Sequence, residues 1–140
     1  MENYLIFSTS IIKFLLPFLI GSLVFFSTII APNTFINLDT KNARKFIRST
    51  FPKLYLWSLI ISLILTILML FIDVLFGVVL FFVSFGFFFS RQYLTRWINE
   101  ASDLSTKSKN QKKKFNRLHT LSVSIFISQI LCLTVISFIF

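Results

Sequence analysis

Cysteine and histidine occur once each in this chain, as Cys132 and His119, and glycine and proline only three times each. A single cysteine permits no intrachain disulfide. A single histidine cannot supply both axial ligands of a haem within one chain. So little glycine and proline excludes collagen-like and low-complexity readings. Charge is scarce too: 14% of residues are charged, against about 25% in ordinary soluble domains. There is no glycine-rich phosphate loop, no CxxC, no HExxH and no nucleophile–base–acid set. Soluble-enzyme chemistry therefore has little to stand on.

What fills the chain is apolar: 56% of its 140 residues are hydrophobic, and 20 are phenylalanine. Four stretches carry no formal charge, namely Phe14–Leu38, Leu54–Ile72, Val74–Ser90 and Leu118–Phe140. A spanning helix needs about 20 apolar residues, within a range of roughly 17–25. The third stretch is short, but Arg91 can snorkel and extend it. The first contains "APNTFINL", so its helix is expected to stop near Ile30, before Pro32. The sequence thus predicts an all-α membrane protein, a four-transmembrane-helix bundle forming one domain over residues 1–140, with helices at about 10–30, 53–72, 74–98 and 114–140. The first stretch reads as a span rather than a cleaved leader. No basic segment precedes it, Lys13 interrupts it and no A-x-A-like site follows.

Placement of charge predicts orientation. Lys41, Arg44, Lys45, Arg48 and Lys53 lie between helices 1 and 2, and eight more basic residues, Arg91 to Arg117, lie between helices 3 and 4. The 2–3 connection and the C-terminus have none. Basic loops stay cytoplasmic. Loops 31–53 and 99–114 are therefore expected in the cytoplasm, with both termini and the Asp73 turn outside. In a bacterial cell this is the inner membrane. The implied partners are the bilayer and its anionic headgroups, which suit basic loops, and a second copy or another membrane protein. Nucleic acid is discounted, because no nucleic-acid-binding signature accompanies the basic residues.

Local patterns refine the expectation. "TFINLDTKNARKFIRSTF" spaces its apolar residues near-helically, with charges between, as a short amphipathic helix lying in the interface would. Pro52 then opens helix 2, with Tyr55 and Trp57 as an aromatic belt at its headgroup end. Gly21 and Ser22 allow a close neighbour on helix 1. "RQYLTRWINEASDL" continues helix 3 beyond the membrane, and "STKSKNQKKK" reads as a flexible connector.

The candidate site lies at the cytoplasmic ends. His119, Ser122 and Gln129 fall within about 80° of one another on helix 4. Asp39, Arg48, Arg96, Asn99, Asp103 and Arg117 lie at a similar depth, and Arg96, Asn99 and Asp103 share one helix face. Two readings are open. One is a polar pocket open to the cytoplasm, with His119 as ligand, proton carrier or anion contact. The other, preferred on the residues alone, is a hydrogen-bonded cap tying helix 4 to helix 3 and the interfacial helix. A shared metal site for His119 and Cys132 is excluded, since thirteen residues separate them by about 20 Å of helix. Met69 and Cys132 are soft ligands at similar depth, but they read as core packing. No metal or cofactor is predicted.

Three pieces of sequence resemble the transmembrane-protein-205-like family of small multi-pass membrane proteins without an assigned activity. The first is "APNTFINLDTKNARKFIRSTFPKLY", through Pro32, Phe35, Leu38, Ala43, Phe51, Pro52 and Tyr55. The second is "LTRWINEASD". The third is "FNRLHTLSVS", a match to F-x-R-x-H-x-x-S at Phe115, Arg117, His119 and Ser122. Arg44 stands where the family pattern favours glycine, and Phe126 where it favours asparagine. The gathering of polar residues at one end favours a non-enzymatic binding or scaffold module with a cytoplasm-facing polar cluster. The family is also distantly similar to four-helix proteins of copper resistance and porphyrin oxidation, which makes a haem- or metal-linked redox protein the alternative. A subunit of an oligomeric transporter is a third.

Overall fold

The computed structural model describes residues 2–140, and the chain is helical throughout them apart from short connections. Helices α1 (Glu2–Phe25) and α2 (Ala31–Asn37) are joined by a π-turn, Phe26–Ile30. Helix α3 is Thr40–Leu70. Helices α4 (Val74–Phe89) and α5 (Thr95–Leu104) are joined by a second π-turn, Ser90–Leu94, and α6 is Lys109–Ile139. The two π-turns do not interrupt the helical path, so four long rods result, each apolar enough to cross a membrane.

Each break between rods is set by a local signal. Asp39 caps α3: its carboxylate accepts from the Asn42 backbone amide at 3.3 Å and from the Asn42 side chain at 2.6 Å. Asp73 caps α4 by accepting from the amides of Leu75 and Phe76 at 2.9 and 3.1 Å. Ser108 caps α6, its hydroxyl accepting from the Gln111 amide at 3.3 Å. These short polar side chains satisfy amides that have no partner inside the helix.

The rods are longer than the spans expected from sequence. At 1.5 Å per residue, the 31 residues of α3 or α6 run about 46 Å, against roughly 30 Å of hydrocarbon. The excess lies at the end that carries the basic residues. Three expectations change accordingly. The 34–51 segment is helical, but it is no separate interfacial helix: its first part extends the first rod as α2, and Thr40 onward is the first turns of α3. Pro52 lies inside α3 rather than opening it. The flexible connector shrinks to residues 105–108, because the Ser108 cap starts α6 at Lys109. In each case a cap placed the helix start earlier than the hydropathy did.

The rods form a ring. Helix α3 packs most closely on α4, α1 packs on α3 and α6, and α6 packs on α4 and α5. Among the described residues the backbones of the diagonal pairs, α1 with α4 and α3 with α6, stay apart. Along α1, Ile12, Leu16, Leu19 and Leu23 are buried at helical spacing. They share one buried core with Leu65 and Met69 of α3, Leu80 and Phe87 of α4, and Leu133 and Ile136 of α6. Many larger side chains face outward, among them Phe14, Phe82 and Phe138, as the lipid-facing side of a membrane bundle requires.

Small polar groups hold the interior. The Ser84 hydroxyl donates to Ser62 Oγ at 2.9 Å and lies 3.3 Å from Thr66 Oγ1, joining α4 to α3. Buried Gln129 of α6 donates to the Val83 carbonyl of α4 at 3.0 Å. It can lie there only because residue 86 is glycine: a Cβ on Gly86 would stand 2.6 Å from Gln129 Nε2. Gly21, in contrast, is exposed and has nothing within 4 Å of its would-be Cβ, so it is not the close-approach site expected.

Candidate functional site

At the basic end the ring opens. Helix α2 touches α3, but among the described residues neither α2 nor its π-turn approaches α6, while α5 touches both α3 and α6. A cavity of about 700 Å³ lies between them. Ligand sites commonly fall in the range of about 300–1,000 Å³.

Its lining falls into two layers. The floor is apolar and aromatic. Phe26 meets Phe51 edge-on at 5.2 Å, Phe51 lies 5.7 Å from Tyr55, and Phe126 and Ile130 of α6 close the far side. The mouth is polar, with Arg44 and Arg48 from α3, Asn99 and Ser102 from α5, and His119 from α6. Among the described residues no carboxylate lines the cavity. The nearest acid of consequence, Asp103, is bonded to Arg48 Nη2 at 2.5 Å, and the same nitrogen reaches the Asn99 carbonyl at 3.5 Å.

The first π-turn sits at the cavity and the second ends beside it. Phe26 and Ser27 of the first line it, and Thr95, just after the second, lines it too. Each adds one residue to a helical turn: the Ala31 amide bonds the Phe26 carbonyl, and the Thr95 amide and hydroxyl both return to the Ser90 carbonyl, the hydroxyl at 2.8 Å. Such turns rotate the helix beyond them and recur at functional sites.

The eight residues singled out from sequence are not all brought together. His119, Ser122, Asn99 and Arg48 line the cavity. Arg96, Asn99 and Asp103 line a second, shallower groove of about 380 Å³ on the other face of α5, beside Pro52 and Arg91. Asp39 is the cap of α3, and the Asn42 amide groups hold its carboxyl below the usual carboxylate range. Arg117 is exposed and lines neither. His119 is exposed and stacks on Phe115, with ring centroids 5.9 Å apart and planes 16° off parallel. It makes no hydrogen bond among the described residues. The tie between α3 and α5 at this level is made by Arg48 with Asp103. Gln129 continues the stripe downward but spends its amide on Val83. Among the described residues no three of His, Cys, Asp and Glu gather as a metal site would need.

Tyr55 and Arg44 line the cavity but were not among the site residues read from the sequence. Tyr55 is 3% exposed, facing inward toward Ser122 of α6, whereas Trp57 is 48% exposed and suits the belt assigned to both. A signal for these residues exists: Arg44, Arg48, Phe51 and Tyr55 recur at i, i+4, i+7 and i+11. It reads as one face only if α3 begins at Thr40, before Pro52.

No curated protein and no solved structure matches the chain. A protein-family model matches residues 14–107, from the middle of α1 to the loop before α6, leaving His119 and the rest of α6 outside the match. That model is described as Domain of unknown function (DUF4149), and since it covers two-thirds of the sequence, the chain belongs to that family.

Proposed function

We propose that this protein is a non-enzymatic binding module of the inner membrane, of the transmembrane-protein-205-like type, whose site is the cavity at the basic end of the bundle. The observation that carries the reading is the cavity itself: about 700 Å³, with an apolar floor and a polar mouth. Packing rarely leaves such a space in a bundle whose interior is otherwise close-packed. In this proposal the positive-inside rule directs the basic end to the cytoplasm, with both termini outside. The basic loops then meet anionic headgroups. His119, Ser122, Asn99 and Arg48 serve as contacts to the ligand. Arg96, Asp103 and Asp39 hold the helix ends around it, and Arg117 anchors α6 at the headgroups. The reading requires no cofactor.

The test is what the protein carries when purified. Small molecules extracted from the wild type and from a cavity-filled variant, Ser122→Trp, are compared by mass spectrometry. A species present at roughly stoichiometric amounts in the wild type and lost from the variant is expected. Ligand release also lowers thermal stability, by about 2.7 kcal/mol if the site is held at a hundredfold its Kd. Identical extracts and identical melting from two well-folded proteins refute the reading.

A further inference from the structure

We infer that the cavity takes up a single-chain anionic amphiphile, such as a fatty acid or monoacyl phospholipid, sideways from the leaflet at the basic end, through the gap between α2 and α6. This rests on the reading of the cavity as a ligand site, and it names the ligand class and the route.

Three observations carry it. The first is polarity along the cavity's length. Tyr55 and Ile130 lie deep, while Arg44, Arg48 and His119 lie at the mouth. From Arg44 to Tyr55, and from His119 to Ile130, the helices run eleven positions, about 16 Å. That is close to half of the roughly 30 Å hydrocarbon core, the reach of one acyl chain. The second is charge. Among the described residues the lining has two guanidiniums and no carboxylate. Arg48 is already engaged by Asp103, which leaves Arg44 with no ion-pair partner among the described residues. An anionic head is the group that completes it. The exposed Lys41, Lys45 and Lys112 to Lys114 stand on the adjoining first turns of α3 and α6 and add to the same field.

The third observation is the route. The wall between α2 and α6 is missing: Ser27, Ala31 and Phe35 line one edge and Val123 and Ile127 the other, with no approach of one backbone to the other. Val123 and Ile127 are exposed, and both belong to the charge-free part of α6. The gap therefore opens toward acyl chains, while the arginines sit where the charged positions resume. A lipid can enter tail-inward without its head leaving the interface. The floor's aromatic rings are fixed in place by one another, so the chain meets a preformed surface.

The experiment uses the full chain in nanodiscs with a photoreactive, diazirine-bearing palmitic acid. Label is expected on α6 between Phe115 and Ile130 or on the Phe26–Phe35 edge. Palmitate or lysophosphatidylglycerol should compete, hexadecanol should compete about tenfold less well, equivalent to about 1.4 kcal/mol, and acetate should not compete. Arg44→Gln should bring palmitate down to the level of hexadecanol and leave hexadecanol unchanged. Ala31→Trp, which fills the gap, should abolish labelling. Val123→Trp does the same from the opposite edge should the first variant not fold. Label outside the cavity, acetate competing as well as palmitate, hexadecanol matching palmitate on the wild type, or undiminished labelling of both filled variants overturns the inference. If palmitate fails while another extracted molecule is lost from Ser122→Trp, only the ligand class falls. If neither binds, the binding reading falls with it.

Discussion

Adding one methyl group at Gly86 tests whether the α4–α6 contact is built as described. An alanine Cβ there would meet Gln129 Nε2 at 2.6 Å and Gln129 Cδ at 3.4 Å. The amide nitrogen is the far end of a flexible side chain, so it yields, and in yielding it leaves the Val83 carbonyl it holds at 3.0 Å. Interhelical hydrogen bonds in membranes contribute about 0.6 kcal/mol on average and up to about 1.7. Against this, alanine gains about 1 kcal/mol over glycine inside a helix. Gly86→Ala alone is therefore expected to be nearly neutral, between about 1 kcal/mol destabilising and slightly stabilising. The informative quantity is the coupling. In a Gln129→Leu background there is no amide to displace, and the leucine branch ends near the Cδ position, where 3.4 Å is tolerable. The same Gly86→Ala change should then stabilise by close to the full helix-propensity gain. A double-mutant cycle, read by reversible unfolding in mixed detergent, should return a coupling near about 1 kcal/mol. A Gly86→Ala effect that is equal in both backgrounds, within about 0.3 kcal/mol, would show that the two residues do not meet.

Two more predictions concern the caps. Asp73→Ala should destabilise by about 1 kcal/mol, since it strips the acceptor from the Leu75 and Phe76 amides, while Asp73→Asn should lose only a fraction of that; thermal melting of the two variants side by side decides it. At Asp39 the hydrogen bonds from Asn42 hold the folded carboxyl below its usual range. A group depressed on folding contributes stability that is present above its unfolded pKa and is lost as pH falls through the folded one. The first turn of α3 should therefore loosen only on acidification below the ordinary carboxylate range. Amide exchange at residues 40–44 should show this in the wild type, and the pH dependence should vanish in Asp39→Asn.

The number of spans and the break at Asp73 were legible residue by residue, whereas the other two breaks were placed by hydropathy and moved by caps. Hydropathy sums over a window, so four apolar runs announce four membrane rods whatever their neighbours do. Capping is equally local: Asp39, Asp73 and Ser108 each satisfy amides two or three positions ahead, and the helix starts at Thr40 and Lys109 could have been read from them. Pro52 misled because proline is common in a first turn, yet here the helix passes through it, with buried Ala43 before it and buried Tyr55 after it.

The cavity was not legible, and the reason is physical. It exists because four rods pack in a ring at one end and diverge at the other, and no window of one strand of sequence reports the distance between α2 and α6. Whether Tyr55 faces lipid or the interior depends on which face α3 presents to α6, and a tyrosine near a headgroup boundary suits either. The π-turns at Phe26–Ile30 and Ser90–Leu94 alter the phase of the helices beyond them without any residue type that requires it. Composition and local pattern thus determined that this chain is a four-rod membrane protein with one strongly basic end. Only the tertiary arrangement decided that His119, Ser122, Arg44, Arg48 and Tyr55 surround a common space, because that depends on relative rotation and spacing between helices rather than on the propensity of any one of them.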